Sequence, residues 1–434
     1  MIKNFDELIE NTDEKFFELR KDILEILDKV LKEMNGYNII KKSIIKKDEK
    51  IFIKGRKIDL LSFKRIFLIG FGKASASMAK AMEELIDFDD GIIISTEDVK
   101  LKKVRIYKGC HPLPSYDNIK ATEKVIDLVK NADYDDLIFA LISGGGSSLL
   151  CKPLISLESV IEVTNELMKK GCTIEELNTV RKHLSYVKGG QLAKICKAKI
   201  IGLIMSDIIG NPIEFISSGP TCEDSTTFYD AFKILKKYGI KNKEAIELIK
   251  CGIAGKIEET PKKLENVENF IIADIKMACK EAKEIAKEKG YNAKILKTDL
   301  RGEAKEIGKD LARYAKIYPR YHSILIAGGE TTVKVKGKGK GGRNQEMMLS
   351  AIGEIRNEPI AMLSFGTDGI DGNSPAGGAI IDGFSYKKVE KLGLNPAKYL
   401  EENDSYTFFE KIGDAIITGY TGTNVMDIQI IGKL

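Results

Sequence analysis

Leu137 to Leu150 reads LIFALISGGGSSLL. An apolar run of strand length breaks at Ser143-Gly144-Gly145-Gly146-Ser147-Ser148, and apolar residues resume at Leu149. Three successive glycines place no Cβ in the path of a ligand, so backbone N–H groups can approach an anion closely. The flanking serines add hydroxyl donors. In an α/β sheet such a turn lies at the carboxyl end of a strand, where ligands bind. Alone, the loop fits a tight strand-to-helix turn equally well. Its neighbours in the chain decide between the two.

Upstream, Arg65–Gly70 is a buried strand followed directly by Gly70-Phe71-Gly72-Lys73-Ala74-Ser75 and a helix over 74–86. The pattern nearly meets the dinucleotide fingerprint, with Ser75 at the third glycine, and Glu97 after the next strand (91–95) stands near where a ribose-binding acid is wanted. A nicotinamide-dependent reductase is therefore the rival reading. Lys73 is unusual in a dinucleotide loop and suits a phosphate or carboxylate, although an exposed surface lysine also fits. A short strand, 104–107, leads to Cys110-His111-Pro112-Leu113-Pro114-Ser115, whose two prolines make an extended, rigid loop. A helix over 119–130 then returns to Leu137.

Downstream, 156–169 reads as a helix and Thr173-Ile174-Glu175-Glu176 as a capping box opening another. On that second helix Leu177, Val180, Leu184 and Val187 form the apolar stripe, and Asn178, Arg181, Ser185 and Lys188 a polar one. The polar stripe is either a solvated face or part of a site. Lys199–Met205 is a further buried strand ending in Ser206-Asp207. An acid there suits Mg²⁺ or a substrate hydroxyl, and equally a turn cap.

The second half repeats the theme. Residues 228–259 are helical, and 270–273, 277–289, 293–296 and 303–315 alternate strand and helix. His322–Ala327 ends in Gly328-Gly329-Glu330-Thr331-Thr332, and 332–336 alternates as a half-buried strand. Gly337–Arg343, GKGKGGR, precedes a helix opened by Asn344, a placement suited to phosphate or to a solvated loop tip. The strand 359–365 ends in GTDGIDG, where Asp368 and Asp371 suit Mg²⁺ or ribose hydroxyls. Strands near 415 and over 425–431 complete a second sheet. At the other end of the chain, 13–34 has the spacing of one amphipathic helix, and 38–60 that of a hairpin or edge strand.

With 434 residues the chain exceeds one ordinary core. Its 31% charged residues, rich in Lys and Glu with no Trp, match proteins of hot environments. A net charge of +5 with both signs interspersed calls for neither nucleic acid nor a membrane surface. Seven scattered cysteines indicate neither a disulfide framework nor a zinc site, and together with the acidic N-terminus point to the cytoplasm. The simplest arrangement is two α/β domains, Rossmann-like over 1–245 and a second over 246–434, whose loops line an interdomain cleft. Lys73, Lys188 and Arg343 supply positive charge, and Asp207, Asp368 and Asp371 could hold a divalent metal. Phosphoryl transfer asks for such positioning and neutralisation. Hydride transfer needs only one of these loops.

GFGKAS, CHPLPS, LISGGGSSLL, NTVRKHLSYVKGG, MSDIIGNPIEFISSGPT, GGETTV, GGRNQE and GTDGIDGNSPAGGA, in this order over about residues 15–430, resemble the glycerate 2-kinase family, whose C-terminal portion is the MOFRL domain. In this chain that portion is the stretch from about 320 to 430. The resemblance implies ATP-dependent phosphorylation of D-glycerate to 2-phosphoglycerate with Mg²⁺ or another divalent cation. Some relatives carry the hydroxypyruvate reductase label that Gly70-x-Gly72 invites. By position it implies catalytic roles for Lys73, Asp207 and Arg343. From the loops themselves, Asp207 and Asp368 are expected as metal ligands, and substrate or nucleotide contacts are expected at Gly72, Ser75, His111, Ser143, Gly144, Gly145, Gly146, Ser147, Ser148, Arg181, Lys188, Gly329, Glu330, Thr331, Asn344, Asp368 and Asp371. The loops at 137–150 and 337–343 are expected to clamp nucleotide phosphates. Cys110 and Ser115 stand where the family has Gly and Asp, and Asn211 where it has Asp. Partners beyond D-glycerate and ATP are not called for, and a homodimer is compatible with this reading.

Overall fold

Lys and Ile alternate through residues 44–59 because these residues form a three-stranded antiparallel sheet, β1 (Ile44–Lys47), β2 (Lys50–Ile53) and β3 (Arg56–Asp59), after a helix Gly36–Ser43 that the alternation did not announce. The computed structural model describes residues 1–97 and 99–434. They form two compact units, one of residues 36–272 and one of 1–35 together with 273–434. The expected boundary at 245/246 thus moves to 272/273, and the first 35 residues join the second unit.

The unit of 36–272 is built on a six-stranded sheet of β4 (Ile66–Phe71), β5 (Asp90–Ser95), β6 (Arg105–Lys108), β7 (Leu137–Ile142), β8 (Lys199–Met205) and β9 (Val267–Ala273). Their order is β6-β5-β4-β7-β8-β9, and the pairs β6–β5, β5–β4, β4–β7 and β7–β8 are all parallel. Every residue of β7 is buried, as a strand covered on both faces requires, so the sequence is a continuous apolar run rather than an alternation. Strand order reverses between β4 and β7, and that switch point is where a doubly wound sheet opens a crevice at its carboxyl edge. The two loops there are GFGKAS and SGGGSS. Helices Leu157–Lys169, Ile174–His183, Phe228–Lys237 and Lys243–Ile253 pack around a smaller core of their own, centred on Leu167, Val180, Leu184, Phe228 and Leu235.

In the other unit, helix Phe17–Glu33 buries the stripe Leu19, Ile23, Leu27, Val30 and Leu31. Its Arg20 is fully buried and reaches Asp382 at 2.8 Å and Asp414 at 2.7 Å, which fixes the N-terminal segment to residues nearly 400 positions away. Losing one partner of such a buried group costs about 3–5 kcal/mol. The sheet comprises β10 (Asn292–Leu300), β11 (Ser323–Gly329), β12 (Ile360–Gly366), β13 (Gly378–Asp382), β14 (Ala415–Ile416) and β15 (Asp427–Lys433) in the order β10-β11-β15-β12-β13-β14. Only β10–β11 is parallel. Residues 332–336 are no strand: Thr332 makes a single bridge to Glu303, and the chain then runs out as a loop. β13 and the helices Ser385–Lys391, Pro396–Glu401 and Ser405–Ile412 had no counterpart in the sequence reading.

Candidate active site

At the switch point β4 and β7 are fastened to each other through their loops. Lys73 donates its backbone N–H to Gly144 at 2.9 Å, Ala74 donates to Ser143 Oγ at 3.0 Å, and Ser143 donates to Phe71 at 3.2 Å. Gly72 has φ +123°, and a Cβ there would stand 2.2 Å from Ser143 Oγ. The second glycine of the apparent dinucleotide fingerprint is therefore required by Ser143, not by a pyrophosphate. The backbone groups that would hold a dinucleotide are already bonded within the protein, which speaks against the reductase reading. Ser75 likewise turns inward, bonding Gly72 O at 2.8 Å with its side chain fully buried. Ser143 and Ser75 both make hydrogen bonds that shape the loops.

The SGGGSS loop is the hub of this unit. Ser147 Oγ lies 2.9 Å from Ser218 Oγ, which in turn bonds Asn178 Oδ1 at 2.7 Å. Ser217 Oγ donates to Ser143 O, and Lys188 Nζ donates to Ser147 O and Leu150 O at 2.6 and 2.7 Å. Ser148 Oγ bonds Pro112 O, and buried Asn118 ties Cys110 to Ser148 O. This lacing brings the HPLP loop, whose His111–Pro112 peptide is cis, against the glycines. At Gly145, with φ +84°, a Cβ would lie 3.0 Å from His111 Cδ2 and 3.3 Å from Lys73 Cγ. Lys73, His111 and Gly145 therefore converge. Among the described residues the N–H groups of Gly144, Gly145 and Ser147 donate to no protein acceptor.

Helix Ile174–His183 ends before the polar stripe does. Asn178 and Arg181 lie on the helix, whereas Ser185 and Lys188 come from the turns beyond it. Asn178, Ser185 and Lys188 are buried, so the stripe is no solvated face. Arg181, Ser185 and Lys188 instead line an open pocket of about 40 Å³ with Pro112–Pro114, Ser147, Ser148, Cys151, Pro153, Val160, Ile161, Thr164 and Leu184. Asp207 follows β8 at the same carboxyl edge and is half-buried. Glu97, beyond β5, is held above the usual carboxylate range by burial.

In the unit of 1–35 and 273–434 the register aligns Gly329 of β11, Asp427 of β15 and Gly366 of β12 across the sheet. Glu330 and Asp368 follow the first and third of these. Arg343, the first residue of helix Arg343–Ala351, forks onto Asp427 with Nε at 2.6 Å and Nη2 at 3.0 Å, and Nη1 meets Glu330 at 2.7 Å. Burial opposes the charge on Arg343, but Asp427 outweighs it and raises the guanidinium above its ordinary value. Three of its five N–H groups are thus engaged. Asp427 was missed in the sequence reading, where its only signal was an acid two residues from Gln429 in an otherwise apolar strand.

Two expected ligand contacts, Asp371 and Asn344, are engaged by protein partners here. Asp371 is buried and accepts from the backbone N–H of Asn344 and Gln345 at 3.1 and 2.9 Å and from both side-chain amides at 3.2 and 3.0 Å. It caps the helix whose N-terminus was expected to hold phosphate. Burial pushes its pKa up to about 6 against those four donors. Asn344 is spent on Asp371 and Ser364, and Thr331 is buried with its hydroxyl unbonded. The GKGKGGR loop is also pinned. Lys336 and Gly337 donate to Asn403 Oδ1, Gly339 to Glu402 O, Lys340 to Asp404 Oδ1 and Gly341 to Asn373 Oδ1.

No cluster of three His, Cys, Asp or Glu side chains is placed to hold a metal among the described residues. No helix among the described residues is long and apolar enough to cross a membrane.

Residues 22–250 match a family described as a domain of unknown function, DUF4147, and residues 323–427 match the MOFRL family. The chain is 42% identical to D-glycerate 2-kinase of Thermotoga maritima over 86% of its own length and 92% of the relative's. It is 39% identical to a putative hydroxypyruvate reductase of Agrobacterium vitis, covering 85% and 87% of the two chains. The crystal structure of glycerate kinase from Thermotoga maritima superposes with a TM-score of 0.85 at 39% identity, covering 96% of this chain and all of that one.

Proposed function

The chain belongs to the glycerate 2-kinase family with a MOFRL portion, and on that premise we propose that it transfers the γ-phosphoryl group of ATP to the 2-hydroxyl of D-glycerate. The observation that carries this reading is the convergence of Lys73, His111 and Gly145 at the switch point, beside three backbone N–H groups with no acceptor among the described residues. A phosphate seated there meets donors in a concave turn and a lysine ammonium.

In this reading the 2-hydroxyl oxygen attacks the γ-phosphorus, the bond to the β-phosphate oxygen breaks, and ADP leaves. Asp207 takes up or orients the hydroxyl proton. Lys73 neutralises charge on the transferred group or on the glycerate carboxylate. Arg343, held by Asp427 and Glu330, directs its remaining N–H groups at the developing charge. A divalent cation brought with the nucleotide would take Asp207 or Asp368 as a protein ligand and would neutralise the phosphates.

The reductase alternative is disfavoured because the N–H groups of Gly72, Lys73 and Ala74 are already bonded to Ile94, Gly144 and Ser143. One experiment separates the two. Purified protein with D-glycerate, ATP and Mg²⁺ should release ADP, and the product should run as 2-phosphoglycerate rather than the 3-isomer. Oxidation of NADH by hydroxypyruvate without ATP, and no ADP release, would replace this reading by the reductase.

A further inference from the structure

Unit 36–272 keeps three cations close together below the HPLP loop, and it treats them differently. Lys182 is fully buried and neutralised by Asp224 at 3.1 Å and Glu214 at 3.0 Å. Arg181, the preceding residue on the same helix, has no carboxylate within ion-pair range among the described residues, and neither has Lys188. Lys188 is buried and gives two of its three donors to the carbonyls of Ser147 and Leu150, neither of which carries charge. Both side chains line the pocket, together with the hydroxyls of Ser147, Ser148 and Ser185.

Burial presses Arg181 below its ordinary value, and it brings Lys188 down to about 8 with Arg181 adding to the effect. Two like charges facing one cavity without an acid are costly unless an anion joins them. The fold supplies acids to Lys182 and withholds them from its neighbours.

We infer that this pocket is an anion subsite in which the Arg181 fork and the remaining donor of Lys188 hold a carboxylate or phosphate group, with the serine hydroxyls completing its coordination. The inference rests on the kinase reading only for the identity of the anion. The apolar wall of Val160, Ile161 and Leu184 lowers the local dielectric on one side of the contact. A guanidinium matches either anion in bidentate geometry. The two sources are the carboxylate of the acceptor and a phosphate of the nucleotide.

The test is calorimetric titration of the full chain with D-glycerate, ATP and inorganic phosphate, each alone, for wild type and Arg181→Met. Loss of at least tenfold in glycerate affinity with ATP unchanged assigns the subsite to the acceptor carboxylate. The same loss for ATP and phosphate assigns it to the nucleotide. Unchanged affinity for all three overturns the subsite. Ile161→Phe fills the cavity from its apolar wall without touching a cation, so it serves if Arg181→Met fails to fold; binding as in wild type would again overturn the inference. Turnover of glycerate with every Arg181→Met affinity intact removes the subsite and leaves the kinase standing. Phosphate binding through Arg181 in a chain that phosphorylates nothing keeps the subsite and removes the kinase.

Discussion

Two glycine-rich loops of this chain are alike in sequence and opposite in construction. SGGGSS at 143–148 is laced to its surroundings mainly by side chains and carbonyls, and the N–H groups of Gly144, Gly145 and Ser147 have no protein acceptor among the described residues. GKGKGGR at 337–343 donates four backbone N–H groups to Asn403, Glu402, Asp404 and Asn373. The helix after it has its first donors closed by Asp371. A Cβ at Gly337 or Gly339 would stand 2.1 or 2.4 Å from Glu402 or Asp404. Its glycines serve close packing, as Gly146 does against Ser217 in the first loop, whereas Gly144 and Gly145 contribute to a concave set of donors. Glycine content therefore signals close approach of something to the backbone, and only the hydrogen-bond accounting says whether that something is protein or ligand.

Five measurements break or sharpen this contrast. Arg343 engages three of its five N–H groups with Asp427 and Glu330, so Arg343→Lys should lose the planar fork and lower kcat by about 10³-fold or more. Near-normal kcat would remove that loop from the chemistry altogether. Lys73→Met should lower kcat/KM by about 10²-fold, the worth of one charge-assisted contact, while leaving Tm nearly unchanged. A large Tm loss with intact kinetics would make Lys73 structural.

Asp371→Ala should cost about 2–3 kcal/mol in urea unfolding, because two backbone N–H groups at a buried helix start lose their cap. ATP affinity should not move. The reverse pattern, stable protein with weakened ATP binding, would return the phosphate site to the second loop. Lys188 carries its proton below about 8, so anion binding at its pocket should weaken several-fold as pH rises from 7 to 9. Arg181 and the Cys151 thiol are the charged and titratable groups that influence it. A flat affinity over that range would detach Lys188 from binding. Smallest of all, Lys338→Ala and Lys340→Ala should change the KM for ATP less than about twofold, as exposed lysines on a pinned loop do. A tenfold rise would mean that they clamp phosphate after all.

The strands were legible because parallel strands covered on both faces leave unbroken apolar runs, as at Leu137–Ile142 and Lys199–Met205. The carboxyl-edge position of Lys73, Ser143 and Asp207 followed from those runs alone. What could not be read was commitment. Whether Asp371 faces a metal or a helix depends on where Asn344 and Gln345 begin that helix, 26 or 27 residues earlier. The polar stripe misled for a related reason: the helix stops at His183, so Ser185 and Lys188 reach inward from the following turns. The N-terminal helix was visible by its period, but its attachment through Arg20 to Asp382 and Asp414 depends on residues far along the chain.

β15 lies between β11 and β12 in its sheet, yet it is the last strand in sequence. During synthesis, the β10–β11 pair and the β12–β13–β14 hairpin array have no shared ladder until residues 427–433 emerge. The strand that joins them also carries Asp427, the anchor of Arg343. The half-made sheet thus exposes two unpaired edges together, and the arginine gains its orientation only when those edges close. In this unit the step that completes the sheet is also the step that arms the site.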